Sequence, residues 1–170
     1  MADLTIALAG NPNAGKSTIF NALTGLHQHT GNWPGKTVEK KEGEIKHDNL
    51  TINIVDLPGT YSLTAYSPEE IIARDFIIEE RPDVVINVVD ATNLERNLYL
   101  TVQLLELDVP VVLALNMADA LKKDGARINI DNLSQLLGNI PVVQTAANQG
   151  KGISELISKA VQAARKLEAL

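Results

Sequence analysis

Eight residues near the start of the chain, Gly10-Asn11-Pro12-Asn13-Ala14-Gly15-Lys16-Ser17, place two glycines, a lysine and a hydroxyl at G-x-x-x-x-G-K-[ST] spacing. Glycines at those positions let successive backbone N–H groups turn inward, and a concave row of donors is a seat for phosphate oxygens. A helix opening near Lys16 adds its positive end, and the Lys16 ammonium reaches the terminal phosphates. The Ser17 hydroxyl is then placed to take one position on Mg²⁺, with Thr18 beside it. Four specified positions arise by accident in a chain this long on the order of once in a hundred. Here they also fall between a strand-like run, Leu4–Ala9, and a helical pattern, Lys16–Thr24, which is the context the phosphate loop needs.

Two further stretches complete a nucleotide site. In Val55-Asp56-Leu57-Pro58-Gly59 an aspartate ends a strand, where it can hold Mg²⁺ through water, and the Gly59 N–H is free to approach a γ-phosphate. In Leu115-Asn116-Met117-Ala118-Asp119 the Asp119 carboxylate can accept two parallel hydrogen bonds, from N1–H and the 2-amino group of guanine. Adenine presents no such pair, so Asp119 is the residue that selects the base. Asn116 is expected to tie this loop to the phosphate loop, with Met117 between them. Gln144-Thr145-Ala146-Ala147 ends the last strand, where backbone N–H groups of Thr145, Ala146 and Ala147 can meet the guanine O6.

The elements that must position these loops follow from pattern. After the first strand and helix, His27–Lys36 has loop composition, with Gly31, Pro34 and Gly35. Thr37–His47 reads as a charged edge strand guarded by Lys and Glu, and Leu50–Val55 as its hairpin partner. Ser67-Pro68-Glu69-Glu70 is an N-cap, a proline at the first helical position and two acids, so a helix runs from there to about Glu80, where Arg81-Pro82 stops it. Strands over Val84–Val89, Val111–Leu115 and Pro141–Gln144 alternate with helices over Leu94–Leu107, Asp131–Leu137 and Gly152–Leu167. Near-continuous Val/Ile/Leu strands imply a parallel sheet covered on both faces. The expectation is one α/β doubly wound domain, residues 1–170, with about six strands, mostly parallel, and one antiparallel edge strand.

The bulk composition excludes several classes. With 170 residues, 45% of them apolar, the chain can bury a real core. A net charge of −6 argues against a nucleic-acid surface, and the lack of cysteine excludes disulfides and thiol chemistry. Val84–Val89 and Val109–Leu115 are too short to span a bilayer, and Met1-Ala2-Asp3 does not open a signal peptide, so the domain is expected to work in the cytoplasm.

These residues resemble the translation-factor-related class of small GTPases, over nearly the whole chain. Within that class they are most similar to the cytosolic G domain of the ferrous iron transport protein FeoB family. Beyond the loops above, the resemblance rests on Gly31-Asn-Trp-Pro-Gly-Lys-Thr-Val-Glu39, Asp56-Leu-Pro-Gly-Thr-Tyr-Ser-Leu63 and Val88-Val-Asp-Ala-Thr-Asn-Leu-Glu-Arg-Asn-Leu-Tyr-Leu100. It implies a Ras-like P-loop NTPase fold that binds GTP and GDP with Mg²⁺ and hydrolyses GTP. It also implies that Thr37, in switch I, completes the Mg²⁺ shell, and that Asp56–Ser67 is switch II. Asn13 is then associated with K⁺, which carbonyls of Gly31 and Trp33 help to hold; such a cation stabilises charge between the β and γ phosphates as an arginine finger does elsewhere. Lys16, Asn13, Thr37 and Gly59 are the implied catalytic set. The same resemblance implies a longer protein at the inner face of the membrane, with helical regulatory and transmembrane domains and small accessory transport proteins as partners.

Several positions stand apart. Lys36 falls where an apolar residue is expected in the family, and Ala146 where the family usually has serine. Thr60 stands where Ras-like enzymes carry a water-orienting glutamine, so intrinsic hydrolysis is expected to be slow. His27, His29 and His47 read as solvated side chains, because nothing nearby has metal-ligand spacing. Glu69, Glu70, Asp75, Glu79 and Glu80 read as a solvated acidic face. Arg96 is open between a contact to switch II and a surface ion pair, and Trp33 between an exposed aromatic and a minor core. Two other functions compete with a transporter's GTPase domain: a free-standing ribosome-assembly or tRNA-modification GTPase, and a switch with negligible turnover.

Overall fold

Each Val/Ile/Leu run of the sequence becomes a strand of one sheet. The structure is a computed structural model that describes residues 1–169. In chain order its elements are β1 (Leu4–Gly10), α1 (Lys16–Thr24), β2 (Gln28–Asn32), β3 (Glu39–His47), β4 (Leu50–Asp56), α2 (Pro68–Asp75), β5 (Val84–Asp90), α3 (Leu94–Leu105), β6 (Val111–Asn116), α4 (Ala118–Lys123), α5 (Ile130–Leu136), β7 (Val142–Gln144) and α6 (Ile153–Glu168). The sheet order is β2-β3-β4-β1-β5-β6-β7. β1 pairs in parallel with β4 and with β5, β5 with β6, and β6 with β7; β2–β3 and β3–β4 are antiparallel.

Alternation along the strands divides the core by face. Ile6, Leu8, Ile52, Ile54, Ile86 and Val88 pack against Ile19 and Phe20 of α1 and Leu156, Ala160 and Val161 of α6. Ala7, Val55 and Val85 pack against Ile72 and Ala73 of α2 and Leu100 and Leu104 of α3. Parallel strands that share a sheet end together, so Gly10, Asp56, Asp90, Asn116 and Gln144 stand along one edge. The chain order reverses on either side of β1, and that reversal opens a crevice at the strand's carboxyl end.

The sheet has seven strands against the expected six; one strand, β3, runs antiparallel to the rest, as expected, but β2 and not β3 forms the edge. The additional strand, β2, lies within the segment read as a loop. None of its residues is buried, so it shows no apolar alternation, and pairing with β3 alone makes it a strand. β3 begins at Glu39, two residues later than expected. α2 ends at Asp75, and Phe76–Glu80 continue as one π-helical turn, closed by Arg81 in the left-handed region (φ 46°) before Pro82. The short α4 was unforeseen; it buries nothing and starts from Met117, also left-handed (φ 62°).

One polar pair is set into the core. Asn87 of β5 is 0% exposed, donates to the Ala9 carbonyl at 3.4 Å and accepts from the Thr101 hydroxyl of α3 at 2.5 Å. Thr101→Val keeps the shape but strands the Asn87 oxygen in the core. It should cost about 1–3 kcal/mol, read as a lower urea midpoint with an unchanged m-value.

Candidate nucleotide-binding site

The phosphate loop is shaped by what crowds it. A Cβ on Gly10 would stand 2.7 Å from the Val88 carbonyl oxygen of β5, so only glycine lets β1 run on into the turn. The turn is closed by Ala14 N–H to the Asn11 carbonyl at 3.2 Å, with Asn13 (φ 68°) and Gly15 (φ 94°) both left-handed. No side chain caps α1 at Gly15, so its first N–H groups face the loop's concavity. Switch II leans on this turn: Thr60 N–H bonds the Gly10 carbonyl at 3.0 Å, and a Cβ on Gly59 would lie 3.3 Å from Pro12 Cα.

Lys16 and Asp56 form a buried ion pair, the Lys16 ammonium donating to one carboxylate oxygen. Burial pushes the Asp56 carboxyl above the usual carboxylate value, against the opposing pull of Lys16. Each residue is thus the other's counter-ion. A phosphate presented to Lys16 and a hard cation presented to Asp56, with the Ser17 hydroxyl beside them, exchange this one pair for two. The donor set therefore fits a magnesium polyphosphate.

Asn116 fastens the base loop to the phosphate loop. Its Nδ2 donates to the Ala14 carbonyl at 3.0 Å, and its Oδ1 accepts from the Thr145 hydroxyl at 2.9 Å and the Ala147 N–H at 3.1 Å. A Cβ on Gly15 would stand only 2.1 Å from that Nδ2, which is why the loop carries glycine there. Ala118 N–H bonds the Thr145 carbonyl at 3.2 Å, setting Asp119 in the first turn of α4 beside Thr145, Ala146 and Ala147. The structure thus gathers Gly10–Thr18, Asp56 and Gly59 at one end of this crevice, and Asn116, Met117, Asp119 and Thr145–Ala147 at the other.

It does not gather the switch-I residues. Thr37 is exposed, and among the described residues no hydrogen bond joins it to Ser17 or Asp56. Gly31 lies in β2 opposite Lys40, and Trp33 N–H bonds the Val38 carbonyl at 3.0 Å. The Trp33 indole is 7% exposed, edge-on to Phe76 at 5.6 Å between centroids, with the Lys40 ammonium 5.0 Å from its ring. Its recess is lined by residues of β3, β4 and α2, none of them from the phosphate loop. The indole N–H and the Asn11 carboxamide are buried without a partner among the described residues. Gly31, expected beside Asn13, thus stands on β2, across β3 from the phosphate-loop strand, and Trp33, expected there too, packs its ring with Val55, Ile72 and Phe76 in the core.

Other open positions resolve. Among the described residues Arg96 forms no ion pair; it lies over the ring of Tyr61, 4.4 Å from guanidinium carbon to ring centre. Gln103 of α3 accepts from Leu63 N–H at 2.7 Å. Glu70 turns away from the acidic face and accepts from Thr64 at 2.8 Å, Ser62 at 3.3 Å and Tyr66 N–H at 3.4 Å. These bonds, that from Thr64 foremost, hold its carboxyl below the usual value. His27 and His29 are exposed, and no group of three His, Asp or Glu side chains converges among the described residues. Gln149, which no motif marks out, donates to Asp119 at 2.8 Å.

The family model described as ferrous iron transport protein B matches residues 4–160. The chain belongs to this family. The Fe(2+) transporter FeoB of Escherichia coli (strain K12) is 53% identical over 160 residues, covering 92% of this chain and 21% of the transporter. A fusion of Fe(2+) transport protein A with FeoB from Porphyromonas gingivalis is 54% identical over 154 residues, 90% of this chain and 18% of the fusion. The chain therefore spans about a fifth of the length of these FeoB relatives. The FeoB G domain from Methanococcus jannaschii superposes with a TM-score of 0.86 at 52% identity, over 97% of this chain and 99% of that one. The cytosolic domain of T. maritima FeoB in a GDP form gives 0.93 at 48% identity, over 96% and 64%. This chain is thus a FeoB G domain, with the α/β architecture of P-loop GTPases.

Because Asn116 is buried, its loss cannot be made good by water. Asn116→Ala should weaken GDP binding by at least about tenfold, from two or more lost hydrogen bonds at about 1 kcal/mol each. Titration calorimetry of the variant against the unaltered domain measures this.

Proposed function

We propose that this domain binds and hydrolyses GTP with Mg²⁺, and that as part of a longer membrane protein it regulates or drives ferrous iron uptake. The observation that carries the nucleotide half is the Asn116 carboxamide, which ties the phosphate loop to the Thr145–Ala147 segment that would meet the base. The iron half rests on membership of a family whose curated relatives are Fe(2+) transporters. In this reading the domain works at the cytoplasmic face, joined to helical regulatory and transmembrane domains. A small accessory transport protein is a further partner, since one relative carries such a protein fused to it.

The chemistry follows from the residues. Backbone N–H groups of Gly10–Thr18 and the open end of α1 cradle the phosphates, and Lys16 leaves Asp56 for the β and γ oxygens. Ser17, Asp56 and Thr37 would hold Mg²⁺, which would supply positive charge against the charge developing on the phosphates. Thr37 reaches it only if switch I leaves its present place beside β3. The Gly59 N–H meets the γ-phosphate. Thr60 is too short to hold the attacking water as a glutamine does, so backbone groups of the switches must orient it. Asn13, exposed beside the γ-phosphate position, is the side-chain ligand for K⁺, with the Gly31 and Trp33 carbonyls joining after the same rearrangement. K⁺ held there would supply positive charge in support of the transition state, as an arginine finger does elsewhere.

Hydrolysis should be faster in KCl than in NaCl, and Asn13→Ala should remove the difference; equal rates in both salts would overturn the K⁺ assignment. GTP should compete for mant-GDP binding far better than ATP does, and equal competition would overturn the role of Asp119. The sole tryptophan is Trp33, so its fluorescence should change between GDP and a non-hydrolysable GTP analogue. An identical spectrum in both states would mean that switch I does not move.

A further inference from the structure

Asp119 stands on weak footing for a residue that must choose a base. It lies in the first turn of α4, which is six residues long and has no buried residue. Among the described residues its carboxylate has one hydrogen-bond partner, the Gln149 carboxamide, with Nε2 2.8 Å from Oδ2.

Gln149, although exposed, is mounted on a rigid turn. Its N–H bonds the Ala146 carbonyl at 2.9 Å, and Ala146 and Lys151 exchange two backbone hydrogen bonds at 3.1 Å across the turn. The turn is closed by left-handed Gly150 (φ 66°) and Gly152 (φ 80°); a Cβ on Gly152 would stand 2.3 Å from the Gln144 carbonyl. The same segment carries the Ala147 N–H that bonds Asn116. Gln149 is thus held in register with the phosphate loop through Asn116, whereas α4 rests on the core through the half-buried Leu121 and through its start. Position 146 is alanine and offers the carboxylate no hydroxyl.

We infer that Gln149 is a positioning residue for guanine recognition: its amide N–H fixes the rotation of the Asp119 carboxylate so that both oxygens face the N1–H and 2-amino donors of the base. This rests on the reading of Asp119 as the base selector. The chemistry suits the task. Each carboxylate oxygen has two lone pairs, so Oδ2 can accept from Gln149 and from guanine together. A neutral amide also leaves the full negative charge available to the base, which an ammonium in its place would partly neutralise.

The test compares GDP with IDP, which lacks the 2-amino group, by calorimetry on the unaltered domain and on Gln149→Ala, Gln149→Glu and Asp119→Ala. Gln149→Ala should weaken GDP about five- to tenfold and IDP less than twofold, because a freely rotating carboxylate still finds one donor but seldom two. Gln149→Glu, an acceptor beside an acceptor, should weaken GDP further. An unchanged or tighter GDP affinity in Gln149→Ala would overturn the inference, the tighter value meaning that the side chain competes with the base. Equal weakening of GDP and IDP would also overturn it, as mere loosening of the loop. If Asp119→Ala leaves the preference for GDP over IDP intact, the base-selector reading itself fails. If Asp119→Ala abolishes the preference and Gln149→Ala leaves it, only the role of Gln149 fails.

Discussion

The carboxamide of Asn116 sits at the end of β6 with its donor on the phosphate loop and its acceptor on the base loop, 3% exposed. An amide has both kinds of atom within one small planar group. An aspartate there would present an oxygen to the Ala14 carbonyl and lose that bond, while a leucine would orphan three buried partners. Two loops more than a hundred residues apart therefore keep a constant spacing, and a nucleotide is a ligand of constant length. The requirement reaches into neighbouring residues: Gly15 is needed to admit the Asn116 amide, and Thr145 to bind its oxygen.

Around that fixed frame the charges are arranged to be exchangeable. Lys16 and Asp56 are both desolvated, and a buried charge is tolerable only with a partner. Their mutual pairing keeps the protein alone from carrying an isolated charge, and it also makes each available as soon as a better counter-charge arrives. Switch II is secured differently, by neutral and charge-assisted contacts to α3 and α2: Gln103 to Leu63, Arg96 on Tyr61, and Glu70 gathering three donors. These are exposed or half-exposed contacts, each worth little alone, so this segment is held less firmly than the frame around Asn116.

Sequence reading succeeded where burial or backbone geometry constrains residue type. Leu4–Gly10 is legible because a two-sided buried strand must be apolar, and Gly10, Gly15 and Lys16 because the phosphate turn admits little else. β2 was illegible because nothing on it is buried, and pairing energy leaves no mark on composition. α4 is too short for a period, and the π turn at Phe76–Glu80 has no pattern distinct from the helix it continues. Gln149, Gln103 and the inward turn of Glu70 are exposed or half-exposed polar residues whose partners only the fold brings near. The location of Thr37 and Trp33 could not follow from motif identity, since a motif names residue types and their order and leaves their placement to packing.

Trp33 gives that last point a thermodynamic meaning. Burying an indole is strongly favourable, but this one hides its N–H from water with no acceptor among the described residues, a cost of about 1–3 kcal/mol. An arrangement of residues 28–38 in which that N–H is wet or bonded would regain this cost. The missing acceptor thus lowers, by that amount, the free energy needed to move the indole out of its recess.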